Sequence, residues 1–219
     1  MSRYVAKKIR SSIGGIDFFH RIEKKYIQKN RSDYIPPLFI VGCPRSGSTL
    51  LYQHLFQNFI VSFIPNFSSI FYKYPYIVSL LLRKFNFRSS MNHYKSDIGF
   101  IPGILSPSEA GKIYEFWFDL DLDLSKKKYI INIINSFTDL MGGPFLSKNM
   151  NNSNRLNKIS HIFPDAIFIF LRRDPLFVAQ SQLLVRKKLY NNYEEWWPPR
   201  KPDNYMLLKK YDPFEQVAV

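Results

Sequence analysis

Residues 37–51 read PLFIVGCPRSGSTLL and contain the clearest structural pattern in the chain. Residues 38–41 are continuously apolar, as expected of a parallel strand that is buried on both faces. A glycine-containing loop follows over residues 42–49, and apolar residues then recur at helical spacing over residues 50–59. A strand, a loop and a helix in this order predict an α/β, P-loop-like fold of three layers, with a central parallel sheet flanked by helices.

The rest of the chain predicts further strands and helices joined by short, proline-rich connections. Residues 60–105 predict short helices and loops, and residues 196–199 (WWPP) predict a loop. The other predicted elements are a helix starting at residues 106–109, a helix at 130–140, a short strand at 145–148, a short helix at 154–161, a second buried strand at 166–171, a helix from Pro175 to about residue 189 with Asp174 as its N-cap, and a last helix at 211–216.

The length of 219 residues and the net charge of +14 limit the possible protein classes. This length predicts one main domain, residues 36–219, preceded by a basic helical leader, residues 1–35. The charge implies an anionic partner, but the basic residues are spread out, so a nucleic acid is a weak candidate. The one cysteine, Cys43, excludes a disulfide framework and favours a reducing compartment.

No segment has the pattern of a targeting signal or a membrane span. The basic N-terminus lacks a following apolar run, so no signal peptide is predicted. The most apolar window, residues 59–82, is interrupted by Pro65, Asn66, Lys73 and Pro75. We therefore expect a cytoplasmic protein without a transmembrane segment.

The loop at residues 42–49 has the glycine spacing of a phosphate-binding P-loop, with Gly42 and Gly47 at its ends. An ATPase P-loop requires a lysine directly after the second glycine, and Ser48 occupies that position here. Arg45 is the only cation within the loop. A nucleotide hydrolase or kinase is therefore disfavoured.

A second motif lies about 130 residues later, where residues 163–181 read FPDAIFIFLRRDPLFVAQS. It is an apolar strand that ends in Arg173, with Ser181 eight residues further on the predicted helix. The carboxyl ends of parallel strands meet at one edge of a sheet, so these two side chains should lie beside the loop at residues 42–49. Strand alternation directs the neighbouring Arg172 to the opposite face.

The two motifs together resemble the PAPS-dependent sulfotransferase family, especially its bacterial-type branch, over roughly residues 36–219. PAPS is 3′-phosphoadenylyl sulfate. The resemblance implies sulfuryl transfer from PAPS to a hydroxyl or amine acceptor, without a metal ion. It also implies that Arg173 and Ser181 hold the 3′-phosphate. The loop residues implied to bind the 5′-phosphosulfate are Arg45, Ser46, Gly47, Ser48 and Thr49.

An acceptor hydroxyl needs a general base, and the sequence offers several candidates. Some family members have a histidine two residues after a lysine at a strand end. Here Lys148 matches that lysine, but the second position is Met150. Other branches use a glutamate before this strand, and Glu109 is the candidate that we favour. The resemblance also assigns Lys148 and Arg45 to the catalytic site, with Arg45 neutralising charge on the 5′-phosphate and the bridging oxygen. The alternative bases are Glu115, His54 and His93, although the position of His54 on its helix favours a core residue.

The resemblance leaves the acceptor open among small molecules, carbohydrates and lipids, and it does not indicate an oligomeric state. The nearby pairs Lys148-Asn149 and Arg155-Leu156 also resemble family positions.

Similar proteins continue past the last predicted helix, so we expect a C-terminally incomplete domain. The alternative function is a weakly active or inactive remnant that still binds PAP or PAPS.

Overall fold

The structure is a computed structural model that describes residues 17–27, 34–83, 94, 96–119, 122–198 and 201–217. Most of the predicted leader and the candidate base His93 lie outside these ranges. The division into a leader and a domain therefore stays a prediction.

The predicted parallel sheet is confirmed, and it has three strands within the described residues. They are β1 (Leu38–Gly42), β2 (Leu146–Lys148) and β3 (Ile167–Leu171). β1 lies in the middle and pairs in parallel with both neighbours. All three carboxyl ends therefore meet at one edge of the sheet, where the candidate site residues follow β1, β2 and β3 in the chain.

Helices cover both faces of the sheet, which confirms the α/β class. The α-helices are α1 (Asp17–Ile27), α2 (Ser48–Asn58), α3 (Pro75–Leu82), α4 (Gly111–Tyr114), α5 (Leu124–Met141), α6 (Leu156–Ile162), α7 (Pro175–Tyr190), α8 (Tyr205–Leu208) and α9 (Pro213–Gln216). Short 3₁₀ helices occupy Ser68–Ile70 and Asn152–Arg155, and a π-helical turn occupies Glu115–Asp119. None of the helices within the described ranges is both long and apolar enough to cross a membrane.

Side-chain caps explain several helix starts. Asp174 accepts a hydrogen bond from the N–H of Leu176 and caps α7, as predicted. Asp123 caps α5, so that helix begins at Leu124 and not at residue 130. The helix predicted from residues 106–109 begins later, at Gly111, because Ala110 has a left-handed backbone (φ 48°) and precedes the first helical turn.

β1 separates two hydrophobic clusters, one on each face of the sheet. Phe39 packs on one face, where its ring stacks on Phe168 at 5.8 Å between centroids. Ile40 packs on the other face with Tyr52 and Leu146. Burial on both faces explains why residues 38–41 are continuously apolar.

The prediction that the strand at residues 166–171 is buried is wrong. In the described part of the chain, β3 pairs with β1 alone. Its side chains Ile167 and Phe170 are 51% and 70% exposed. A short apolar run occurs in central and outer strands alike, so the sequence pattern did not distinguish them.

α1 packs against α3 and α5 through a buried carboxyl group. Glu23 is fully buried, and its side chain accepts hydrogen bonds from the Ile77 N–H (3.0 Å) and the Tyr129 hydroxyl (3.1 Å). The Ile77 N–H belongs to the first turn of α3, so Glu23 satisfies a helix N-terminus. Burial raises the pKa of Glu23 to about 8 against the opposing effect of these hydrogen bonds.

Candidate functional site

The loop between β1 and α2 requires glycine where it leaves the sheet. A Cβ on Gly42 would lie 2.6 Å from the Leu171 carbonyl oxygen, so a side chain at this position would displace the β1–β3 pair. Gly47 has a left-handed backbone (φ 99°) and is the N-cap of α2. The two glycines of the motif therefore allow the close strand contact and the turn into the helix.

The N-terminus of α2 presents donors that no side chain in the described structure caps. The first N–H groups of an α-helix lack partners within the helix and attract anions. The neighbouring Ser46 hydroxyl is buried and has no hydrogen-bond partner among the described residues. These donors suit an acceptor-rich group such as a phosphate. An adjoining cavity of about 150 Å³ is lined by Pro44, Arg45, Gly47, Ser48, Thr49, Leu50, Ser96, Ile98, Gly99, Lys148, Met150, Arg173 and Trp197.

Arg45, Arg173 and Ser181 meet at this loop, as the two motifs predict. The Arg45 Nε donates to the Ser181 hydroxyl at 3.0 Å. An Arg173 guanidinium nitrogen donates to the Arg45 carbonyl oxygen, also at 3.0 Å. Arg45 itself has a left-handed backbone (φ 73°), which is uncommon for a non-glycine residue. The contact therefore connects the loop after β1 with β3 and α7.

The two arginines give this part of the site a strong positive potential. Partial burial, and then the nearby charge of Arg173, lower the pKa of Arg45. Among the described residues, neither guanidinium forms an ion pair with a carboxylate. A bound anion would relieve the repulsion between them and accept their remaining N–H donors.

The predicted catalytic residues Glu109 and Lys148 form an ion pair at the end of β2. The Lys148 side chain is almost fully buried, whereas the Glu109 side chain is 27% exposed. Gly99 covers the pair: a Cβ at Gly99 would lie 2.9 Å from the Glu109 Oε1, 3.5 Å from the Lys148 Nζ and 3.7 Å from the Thr49 hydroxyl oxygen. The ion pair therefore lies beside the loop residue Thr49.

A buried network holds the backbone of Glu109 in place. The Asn149 side-chain amide donates to the Glu109 carbonyl oxygen at 2.6 Å, and Arg155 donates to the Asn149 side chain at 3.4 Å. Arg155 also forms a two-pronged ion pair with Asp119, at 2.7 and 2.6 Å. Asn149 and Arg155, whose positions resemble family positions in the sequence, therefore fix the backbone of Glu109.

The alternative bases lie in other environments or outside the described ranges. His54 is exposed and contacts Tyr94 and Asn58, so its predicted core position is wrong. The reason is that Tyr52, and not His54, occupies the buried face of α2. Glu115 forms an exposed ion pair with Lys112.

Gly99 is not among the site residues predicted from the sequence, and it lies in a tight turn from Asp97 to Phe100. Gly99 follows Ile98, and both residues have positive φ angles. A glycine between turn residues indicates a turn, but the sequence does not show which side chains lie under it. Asp97 also forms an exposed ion pair with Lys188 of α7, which attaches the turn to the helix that follows β3.

Comparisons with known proteins agree with this architecture. A model described as "Sulfotransferase family" matches residues 36–206. The crystal structure of sulfotransferase STF9 from Mycobacterium avium is similar, with a TM-score of 0.50 and 17% sequence identity. The match covers 74% of this chain and 50% of that one, so the chain matches about half the length of that sulfotransferase. No curated protein sequence matches the chain.

Proposed function

Because the chain belongs to the sulfotransferase family, we propose that it transfers a sulfuryl group from PAPS to a hydroxyl acceptor. The main observation is the contact of Arg45 with Ser181 and of Arg173 with the Arg45 carbonyl. It joins two motifs that resemble phosphate-binding motifs of the family, through residues 128 and 136 positions apart in the chain. PAPS has an anionic group at each end of its ribose, so one PAPS molecule matches both motifs.

The described residues fit both ends of the donor. The 5′ end would be held by the loop after β1. There the Ser46 hydroxyl has no hydrogen-bond partner among the described residues, and no side chain caps the N–H groups at the start of α2. The 3′-phosphate would be held by Arg173 and Ser181. Arg45 belongs to the loop and contacts Ser181, and it would neutralise charge on the 5′ side. The loop donors of this proposal are Arg45, Ser46, Gly47, Ser48 and Thr49.

The reaction exchanges one sulfur–oxygen bond for another. The acceptor oxygen bonds to the sulfur while the bond from the sulfur to the 5′-phosphate oxygen breaks, and PAP leaves. The hydroxyl proton passes to the Glu109 carboxylate, which acts as the general base. Positioning and charge stabilisation account for most of the catalysis in such in-line transfers, and here Arg45 and Lys148 supply the positive charge.

The ion pair in this structure suits both residues to these roles. Lys148, Gly99 and Thr49 line the donor cavity, and the Glu109 carboxylate pairs with Lys148 close to Gly99. The Lys148 side chain is nearly inaccessible, so its charge acts within a poorly solvated site. A poorly solvated lysine next to the phosphate loop would stabilise the negative charge that develops on the leaving oxygen.

The test is transfer of radiolabelled sulfate from PAPS to a panel of alcohols, phenols and sugars, together with calorimetric titration of PAP. We expect PAP to bind and at least one hydroxyl compound to become labelled. Binding of PAP without transfer to any acceptor would contradict the proposed reaction. If PAP did not bind either, the assignment of the donor site would be wrong.

A further inference from the structure

A second cavity of about 290 Å³ shares part of its lining with the donor cavity. Pro44 and Met150 line both cavities. Met150 follows Lys148 by two residues, so the shared wall lies close to the catalytic pair. The second cavity is lined by Gly42, Cys43, Pro44, Met150, Asn151, Ser153, Asn154, Gln182, Trp196, Pro198, Lys201 and Pro202.

The lining of the second cavity is apolar and positively charged. One indole, three prolines and a methionine supply apolar surface, and three amide side chains and one hydroxyl supply hydrogen bonds. Lys201 is the one lysine or arginine in this lining, and no aspartate or glutamate belongs to it. An ammonium group would find no counter-charge there, whereas an anionic group would pair with Lys201.

Contacts with neighbouring side chains hold the Trp196 ring in place, so this aromatic surface of the cavity is present before any ligand binds. The Arg186 guanidinium lies 4.9 Å from the centre of the Trp196 ring, and Tyr205 packs edge-on against the same ring. Arg186 is fully buried and donates to the Gln216 side chain at 2.7 Å. The Lys201 ammonium lies 4.0 Å from the centre of the Tyr205 ring, which itself packs against the indole.

We propose that the second cavity is the acceptor site and that it selects a one-ring hydroxyl compound with a carboxylate or another anionic group. This inference rests on the proposed sulfotransferase function. A volume of about 290 Å³ lies at the lower end of small-molecule pockets, which suits a single ring. The ring would lie against Trp196, the anionic group would pair with Lys201, and the hydroxyl would face the wall shared with the donor cavity.

The first experiment compares three phenols that differ mainly in the charge of the group opposite the hydroxyl. They are 4-hydroxyphenylacetate (negative), 4-ethylphenol (neutral) and tyramine (positive). We expect kcat/KM for sulfation to be highest for the carboxylate and lowest for the amine, with at least a fivefold gap between them. Lys201→Glu should reverse that order without changing PAP affinity. Lys209→Glu makes the same charge change at an exposed lysine outside the cavity lining and should leave the order unchanged.

The second experiment measures binding without turnover, through the one cysteine of the chain. Cys43 is exposed and lines the second cavity. With PAP bound, 4-hydroxyphenylacetate should slow alkylation of Cys43 by iodoacetamide, and Lys201→Glu should abolish this protection. The protection does not depend on transfer.

The outcomes separate the inference from the proposed function. Sulfation of all three phenols at equal rates, with no protection of Cys43, would overturn the acceptor site and leave the sulfotransferase function standing. Protection that depends on Lys201, without transfer to any acceptor, would contradict the function and support the ligand class of the cavity.

Discussion

Arg173 has two neighbours that fix its guanidinium above the phosphate loop. It donates to the Arg45 carbonyl oxygen and lies 5.8 Å from the centre of the Phe177 ring. Arg173→Ala removes a charged donor to the 3′-phosphate and releases the loop backbone at Arg45. We expect PAP affinity to fall about 30-fold, or about 2 kcal/mol, in calorimetry. Arg172→Ala is the matched control and should bind PAP as the wild type does; equal affinity in both variants would contradict the site.

Glu109 is the one carboxylate among the described residues that contacts Lys148. Glu109→Gln keeps the shape of the side chain but removes its ability to take a proton. We expect kcat to fall about 100-fold and PAP affinity to stay nearly constant, because the base does not contact the donor phosphates. Glu115→Gln makes the same change in an exposed ion pair and should keep full activity. A loss of activity in Glu115→Gln alone would transfer the role of base to that residue.

Gly99 is packed too closely on the ion pair to accept a side chain. Gly99→Ala would place a Cβ 2.9 Å from the Glu109 Oε1, at a φ of 91° that alanine rarely adopts. The turn or the carboxylate must therefore shift, and we expect kcat to fall at least tenfold with little change in PAP affinity. Gly111→Ala is the control, because its Cβ would meet no atom nearer than 4.0 Å. Full activity of Gly99→Ala would show that the turn does not position Glu109.

The sequence predicted those site residues whose positions follow from the topology of the sheet. Arg45 and Arg173 follow parallel strands and Lys148 is the last residue of one, so their convergence depended only on the correct strands. The position of Gly99 over the ion pair depends on the packing of a loop outside the sheet, and no local pattern encodes that packing. The core position predicted for His54 was wrong because helical spacing defines only an apolar stripe along one face of the helix. A residue at the edge of that stripe can be either buried or exposed.

At the scale of elements, α1 is attached to α3 and α5 through a carboxyl group whose pKa is raised by burial to about 8. Glu23 therefore keeps its proton in the folded chain over a pH range in which the unfolded chain ionises. The folded state binds more protons between about pH 4.5 and 8, so the free energy of unfolding decreases as the pH rises through that window.

Glu23→Gln should remove this pH dependence. The glutamine oxygen can still accept from the Ile77 N–H, and its amide can donate to the Tyr129 oxygen. We expect the variant to be more stable than the wild type at pH 8, with a smaller difference at pH 5, in urea titrations. Glu195→Gln changes an exposed carboxylate and should follow the wild-type curve. Parallel curves for Glu23→Gln and the wild type would contradict the raised pKa.

Element types were predicted better than element boundaries. The first turn of α5, residues 124–127, contains three polar residues and gave no apolar periodicity, yet the Asp123 cap starts the helix there. The late start of α4 depends on the left-handed backbone of Ala110, which propensity alone does not predict. The exposure of β3 depends on its neighbours in the sheet, and the apolar run itself does not specify them.

At the scale of the whole molecule, the proposed donor site is complete only when β1 and β3 are paired. A ligand that binds the folded state alone stabilises the whole fold by mass action, by about 2.7 kcal/mol at 100 times its Kd. We expect PAP to raise the melting temperature of the wild type and to have much less effect on Arg173→Ala at the same concentration. AMP, which lacks the 3′-phosphate, should show a much smaller difference between the two proteins than PAP does. An equal shift with PAP in both proteins would contradict coupling of the ligand to Arg173.

The contact between Arg45 and Ser181 joins residues 136 positions apart in the chain. Contacts of such long range form late in folding, because the entropy of closing the intervening chain must first be overcome. During synthesis the phosphate loop leaves the ribosome long before its partners on β3 and α7. A nascent chain therefore cannot complete the proposed donor site until residue 181 has emerged, so a donor that binds there would not assist the folding of the first strands.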